Sequence, residues 1–453
     1  MGAGILKTND RHNAAAVRCG AAAADITPVD SQFLFGYPHV KRYSTGVHDR
    51  LLSSALYIDD GRNKAMFIAN DIIYVPQAVV GRARKRIEQA TGVDGACIMI
   101  SATHTHSGPK TVNHLSNAND PVIPQADAKY LHLLEDGIVN AAVAAASSAQ
   151  PAQLAMVTAD GAGLGTNRHD PAGPADPQMP VLLVRRTNDK SHIAAMIVCS
   201  MHPTVLHEDS TLVSGDFPAM ARQALGQGSL GSDCVILHHM GPAGNQSPRH
   251  VTRENTFAEA RRLGGILAAA VEKALATGPQ YVQDIRVKAG REHVDLPRRK
   301  FLSVADAQAK LDGAVRRLAD LRNAGAPRTE VRTAECDWFG AEETLALAAA
   351  ACDGRLEAAY KDLLPVEVQV IAVGGWVFAG WPCEVFVEYA LEVKAAQADA
   401  CVISAANGEL QGYIVTPEAA SKGGYEASNS LFDCASGRVL VDTTLKLIAQ
   451  VRS

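Results

Sequence analysis

A chain of 453 residues is long enough to bury a sizeable core, as one large α/β domain or two smaller ones, with room for an enclosed site. Its formal net charge of −5, with no basic stripe, argues against nucleic acid as a partner. The nine cysteines are scattered without a Cys-x-x-Cys pair, and several sit in apolar runs, which suits reduced thiols better than a disulfide framework.

From Met1 to Leu6 the chain lacks a hydrophobic core of signal-peptide length, and Leu6 breaks the myristoylation pattern. No stretch is apolar for long enough to span a bilayer, so a soluble, cytoplasmic chain without stable membrane insertion is expected. The first 160 residues alternate strand-like runs (Ala55–Ile58, Ala65–Ala69, Cys97–Ile100) with helical stretches over Gln77–Ala90 and Tyr130–Ala146. Strand-like runs follow at Val181–Val184, Ile193–Cys199 and Cys234–Leu237, with helices near Pro218–Leu225 and Thr256–Ala276. Between Ser303 and Tyr360 the pattern turns helical: Leu311, Val315 and Leu318 recur at helical spacing, Ser303 with Asp306 reads as a capping box, and Ala341–Cys352 is a second Ala-rich run. No Gly/Ser/Pro-rich linker brackets this segment, so a helical pair inserted between strands is expected, not a separate domain. Strands resume at Val366–Val373, Trp376–Ala379 and Val402–Ala405, and a helix closes the chain over Asp442–Val451. Such alternation predicts an α/β layer structure.

Chemistry-bearing residues cluster just after the strands. His104 and His106 follow Cys97–Ile100 in a Ser/Gly/Pro-rich loop. Strand alternation would put both on one face, as two metal ligands or as a ligand and its catalytic neighbour; the plain alternative is a pair of histidines bonding a turn. His202 has the same address after Ile193–Cys199, whereas His207, Glu208 and Asp209 read as a solvated loop. Glu384, past Val377–Cys383, reads either as a helix-start residue or as a ligand. Tyr413 and Tyr425 sit in Gly-rich turns, where packing anchors are common. Ser247 lies on a Gly-rich loop able to offer donors to a developing oxyanion, although it is no Gly-x-Ser-x-Gly elbow. Gly226–Gly231 matches a dinucleotide-binding pattern but precedes a strand, so it is set aside.

Taken in order, Asp25-Ile26-Thr27-Pro28, Gly46-Val47-His48-Asp49, Thr103–Pro109, Asn167-Arg168, His202-Pro203-Thr204, Ser214-Gly215-Asp216, Ala243–Pro248, Glu384 in Pro-Cys-Glu-Val-Phe, and Tyr413 with Tyr425 resemble the motifs of the neutral/alkaline (non-lysosomal) ceramidase family. The likeness runs from about Cys19 to the end. It implies layered mixed β-sheets flanked by helices, as a single catalytic domain over 1–453 with a helical insertion at about 303–360. It further implies one zinc ion per chain held by His104, His202, Glu384 and Tyr413, with His106, Arg168, Ser247 and Tyr425 as catalytic pocket residues.

The chain also departs from that pattern. Pro242 and Asn245 stand where the family's Asn-Ala-Gly-Asp-Val-Ser-Pro loop has the asparagine and the aspartate, so a carboxylate is missing beside Ser247. Only 28 residues follow Tyr425, so the carboxyl-terminal immunoglobulin-like domain of the family's secreted enzymes is not expected here. These features suggest the short bacterial branch of the family. The expected activity is hydrolysis of a C–N amide bond in a soluble, small-molecule acyl amide; the alternatives are an ester or lactone hydrolase, a true ceramidase, and a zinc-binding module without catalysis. Assembly into a homo-oligomer is left open.

Overall fold

The computed structural model describes residues 16–118 and 120–453, so the reading of Met1–Leu6 lies outside the described residues. Two sheets carry the fold. The larger has eight strands, in the spatial order Val235–Met240, His192–Cys199, Gln178–Arg186, Gln150–Asp160, Arg18–Asp25, Leu52–Asp59, Lys64–Asn70, Ile98–Ala102. Its neighbours are antiparallel except at the two edges, where Val235–Met240 runs parallel to His192–Cys199 and Ile98–Ala102 parallel to Lys64–Asn70. Parallel neighbours need a long crossover, and helices Asp216–Gln227 and Gln77–Thr91 supply one for each edge. The second sheet orders Val287–Val294, Val366–Val373, Trp376–Gly380 and Ala400–Ile403; its last pair is parallel, bridged by helix Val387–Ala396.

Apolar side chains on both faces of each sheet produce the layers. Leu56, Phe67, Leu182, Met196 and Leu237 of the large sheet meet Val287, Ile371, Phe378 and Cys401 of the small one in a central core. Helices cover the outer faces: Val79, Ile87, Leu134 and Ile138 pack on Ile68 and Ile100; Phe217, Leu263 and Leu267 on Val181 and Ile197; Tyr389, Leu440 and Leu447 on Val368 and Val370. The expected layered mixed sheets flanked by helices are therefore present. All nine cysteines are free. Among the described residues no helix is long and apolar enough to cross a membrane.

The insertion leaves the small sheet after Val287–Val294 and returns to its neighbour Val366–Val373. It holds three helices where a pair was expected: Val304–Asn323, Arg328–Asp353 and Arg355–Leu363. Gly354, at φ 85°, splits the last two, a left-handed turn that glycine adopts without a Cβ penalty. Ser303 does cap the first helix, accepting from Asp306 N–H at 3.1 Å. Strands Arg18–Asp25 and Gln150–Asp160 escape the sequence pattern. The first is mostly Ala and Gly, and the second carries Gln and Pro among its apolar residues, so long-range pairing and not local hydrophobicity makes them strands.

Candidate active site

The eight-stranded sheet folds over so that its edge strand Val235–Met240 packs across Leu52–Asp59, Lys64–Asn70 and the opposite edge Ile98–Ala102. Ser101 Oγ on one edge lies 2.7 Å from His239 Nδ1 on the other, and the segment after Ala400–Ile403 bonds to both, through Ser404 N–H to Met240 O at 2.8 Å and Ala102 N–H to Ala405 O at 3.1 Å. Three parallel strand pairs thus bring their carboxyl ends to one place, the usual ligand position in such topologies. His104 follows Ile98–Ala102, His202 follows His192–Cys199, and Glu384 follows Trp376–Gly380.

Strand alternation is not what aligns His104 and His106, because the strand stops at Ala102. His104 takes φ 67°, a left-handed conformation that a non-glycine residue holds only when its surroundings impose it. Its N–H is tied to Ile72 O at 2.9 Å, and its ring Nδ1–H donates to Ile73 O at 2.9 Å. The His202 ring Nδ1–H donates to Ala243 O at 2.6 Å and Gln246 O at 3.1 Å. Carbonyl oxygens only accept, so both rings carry their proton on Nδ1 and present Nε2 inward. There Glu384 Oε2 lies 3.2 Å from His104 Nε2 and 3.0 Å from His202 Nε2.

His106 completes the cluster: the ligand atoms of His104, His106 and His202 all lie within 4.8 Å of one another, and both His106 ring nitrogens are buried without a partner. Gly36 backs this ring, and at φ 119° a Cβ there would stand 2.3 Å from Nδ1. Burial, followed by the His104 and His202 rings, holds His106 well below the usual histidine range; burial likewise lowers His202. Burial opposes ionisation of Glu384, yet the His104 and His202 rings hold its carboxyl well below the usual range. With both Nδ1–H groups spent on carbonyls, His104 Nε2, His202 Nε2, the partnerless His106 ring and the Glu384 oxygen turn acceptor atoms toward one point. A cation resolves that conflict, so the residues present fit a metal ion, with nitrogen and oxygen donors of the kind zinc accepts.

Tyr413 is the register partner of Glu384 across the short pair Glu384–Val385 and Tyr413–Ile414, so the two side chains leave adjacent positions. Helix Val387–Ala396 begins three residues later, and the buried Glu384 takes no part in its first turn. The Arg168 guanidinium lies 5.3 Å above the Tyr413 ring, and the rings of Tyr413 and Tyr425 are 6.0 Å apart. Burial and then Glu384 raise Tyr413 well above the usual tyrosine range, which keeps it protonated in this state. Arg168 is anchored by its N–H to Asn245 O at 2.8 Å and pairs with Glu426, Nε to Oε1, at 2.6 Å but outside hydrogen-bond angles. Burial works to raise Glu426, but Arg168 and His169 bring its carboxyl down to about 2.

A cavity opens over this cluster, walled by His104, His106, Glu384, Tyr413 and Tyr425, with Phe35 and Ile73 as apolar sides and Glu343 from the insertion. Ser247 is not among the residues of that wall. It is buried, pairs with Thr166, and accepts Arg249 N–H on its Oγ at 3.2 Å, capping the turn Pro248–His250. Asn245 explains the missing carboxylate: its Nδ2 donates to Glu388 Oε2 at 2.8 Å while its Oδ1 accepts from Val387 N–H at 3.0 Å. An aspartate in that position would set two carboxylates face to face.

Tyr74, Glu426 and Glu343 are among the residues of the site that escape sequence reasoning. Tyr74 donates a short hydrogen bond to Glu384 Oε1. It sits in Ile72-Ile73-Tyr74-Val75, just beyond Lys64–Asn70, a strand-end address like that of the histidines. Glu426 adjoins Tyr425 but carries no pattern of its own, and Glu343 lies in an Ala-rich helix that reads only as core.

Residues 17–234 match the family model of the neutral/alkaline non-lysosomal ceramidase N-terminal region. Over 235 residues the chain is 26% identical to neutral ceramidase B of Dictyostelium discoideum, a match covering 47% of this chain and 32% of that protein. Over 142 residues it is 30% identical to the neutral ceramidase of Pseudomonas aeruginosa, covering 30% of this chain and 21% of the other. The matched stretch therefore spans a third or less of these relatives. The crystal structure of the Pseudomonas aeruginosa neutral ceramidase aligns with 96% of this chain and 74% of its own, at TM-score 0.75 and 21% identity, and a ceramidase complexed with C2 aligns at TM-score 0.75 and 20% identity, covering 96% and 75%. At that identity the alignments establish a shared fold.

Proposed function

On the premise that the stretch 17–234 belongs to the neutral/alkaline non-lysosomal ceramidase family, we propose that this protein is a zinc-dependent amidohydrolase that cleaves the C–N bond of a small acyl amide. His104, His202, Glu384 and Tyr413 would hold one zinc ion. The observation that carries the reading is the inward-facing Nε2 atoms of His104 and His202 on a single Glu384 oxygen, with no donor to separate them. Zinc, when bound, supplies Lewis acidity and a water ionised near neutral pH.

The chain's own groups do the rest. His106, neutral and with both nitrogens free of partners, takes a proton at one ring nitrogen from water and returns it to the departing amine. Arg168, fixed by Glu426, orients the Tyr413 hydroxyl beneath it. Tyr425 donates toward the carbonyl oxygen as negative charge gathers there. Ser247 enters this reading from the family resemblance: its Oγ accepts from Arg249 and keeps its own proton to donate.

Metal analysis with turnover of matched amides, esters, lactones and long-chain ceramide tests the proposal. One zinc per chain, and chelator-sensitive cleavage of short amides above all other substrates, is the expected result. Faster ester cleavage, faster ceramide cleavage, or bound zinc without turnover would replace it by the corresponding alternative.

A further inference from the structure

One carboxyl group of the cavity wall has no part in that chemistry. Glu343, on insertion helix Arg328–Asp353, is only 3% exposed and lines the same cavity as His104, His106 and Glu384. Its Oε1 meets Asn117 Nδ2 at a long 3.4 Å, and its Oε2 is buried without a partner. Close by, Asn429 Oδ1 also lacks a partner. Among the described residues lining this cavity there is no lysine or arginine to answer the carboxyl.

The helix is held in place on the rim. Arg332 pairs with Glu208 at 2.7 Å, and the Trp338 and Phe339 rings stack on His39 at 5.1 and 5.4 Å. Glu343 is therefore presented to the cavity by a fixed scaffold. A buried acceptor without a donor costs stability, and at a cavity wall it is open to a donor from a ligand. Burial, only partly offset by Asn117, pushes the carboxyl up to about 8, so near neutral pH the cavity holds it protonated and a bound ammonium would favour its ionised, accepting form.

We propose that Glu343 is a specificity residue that accepts hydrogen bonds from an amine or hydroxyl on the polar part of the substrate, and so selects amides of small, polar amines over those of apolar ones. For the reaction this rests on the amidohydrolase reading; for binding it stands on the cavity alone. The test is isothermal titration of the whole protein with three amines of equal heavy-atom number: 1,3-diaminopropane, 3-aminopropanol and butylamine. Any contact of the shared amine with a metal is common to all three, so differences between them report on the far end.

In the wild type the diamine and the amino alcohol should bind at least tenfold tighter than butylamine. Glu343→Leu should erase that preference and leave the melting temperature unchanged or higher. Glu343→Gln, an isostere that keeps the fold, should lose the preference for the diamine and retain that for the amino alcohol if a hydroxyl is the natural donor; loss of both points to an ammonium. Equal binding of the three amines by the wild type, or an unchanged preference in both variants, overturns the proposal. Because no bond is cleaved, the result is independent of whether amides are hydrolysed.

Discussion

Replacing Arg168 by methionine should unsettle the site through Glu426. In the folded protein this carboxyl stands at about 2 against an ordinary 4.5, burial raising it and Arg168 lowering it. A drop of that size corresponds to about 3 kcal/mol of stability. The sign follows from a depressed folded value: the contribution is complete above about pH 4.5 and is lost as pH falls toward 2. Removing Arg168 leaves a buried carboxylate with His169 alone, and breaking a buried pair from one side typically costs about 3–5 kcal/mol. Urea unfolding at pH 7 should show Arg168→Met destabilised by about that amount, with the gap to wild type closing below pH 4.5. Glu426→Gln in the same background should recover most of the loss, since the uncompensated charge is then gone. An Arg168→Met variant as stable as the wild type at pH 7, or a gap that does not change with pH, would refute the assignment of Arg168 as the group that holds Glu426 ionised.

Tyr74→Phe removes the hydrogen bond to Glu384 Oε1 and should weaken metal binding by about 10–100-fold in a chelator competition, with the fold intact by circular dichroism. Asn245→Asp sets a second carboxylate against Glu388 and should cost about 1–3 kcal/mol, read as a lower melting temperature at pH 7. Ser247→Ala should cost about 1 kcal/mol through the lost cap and, if the hydroxyl also serves the oxyanion, on the order of a hundredfold in turnover. Unchanged activity with intact zinc would take Ser247 out of the mechanism. His104→Ala should abolish bound metal, whereas His106→Ala should retain it and lose turnover; equal metal loss in both would make His106 a ligand.

Elements whose hydrophobic runs are local can be read directly from the chain. Val366–Val373 is recovered to the residue, and His192–Cys199 and Gln77–Thr91 to within one at an end. The amino-acid sequence also placed His104, His202 and Glu384 at strand ends, because a strand's apolar run and the polar turn after it are adjacent in the chain. Tertiary structure decided the rest. Convergence of those three residues depends on a sheet folded over so that Val235–Met240 reaches Ile98–Ala102, tied through Ser101, His239 and the Ser404–Ala406 segment, contacts between positions more than 130 residues apart. The left-handed turn at His104 that aims its ring is held by Ile72 and Ile73 and leaves no trace in the His-x-His pattern. Glu343 reads in the sequence as one more residue of an Ala-rich helix. Only the packing of that helix on the His39 loop turns it toward the cavity, since burial and facing are properties of packed surfaces and not of the residue or its neighbours in the chain.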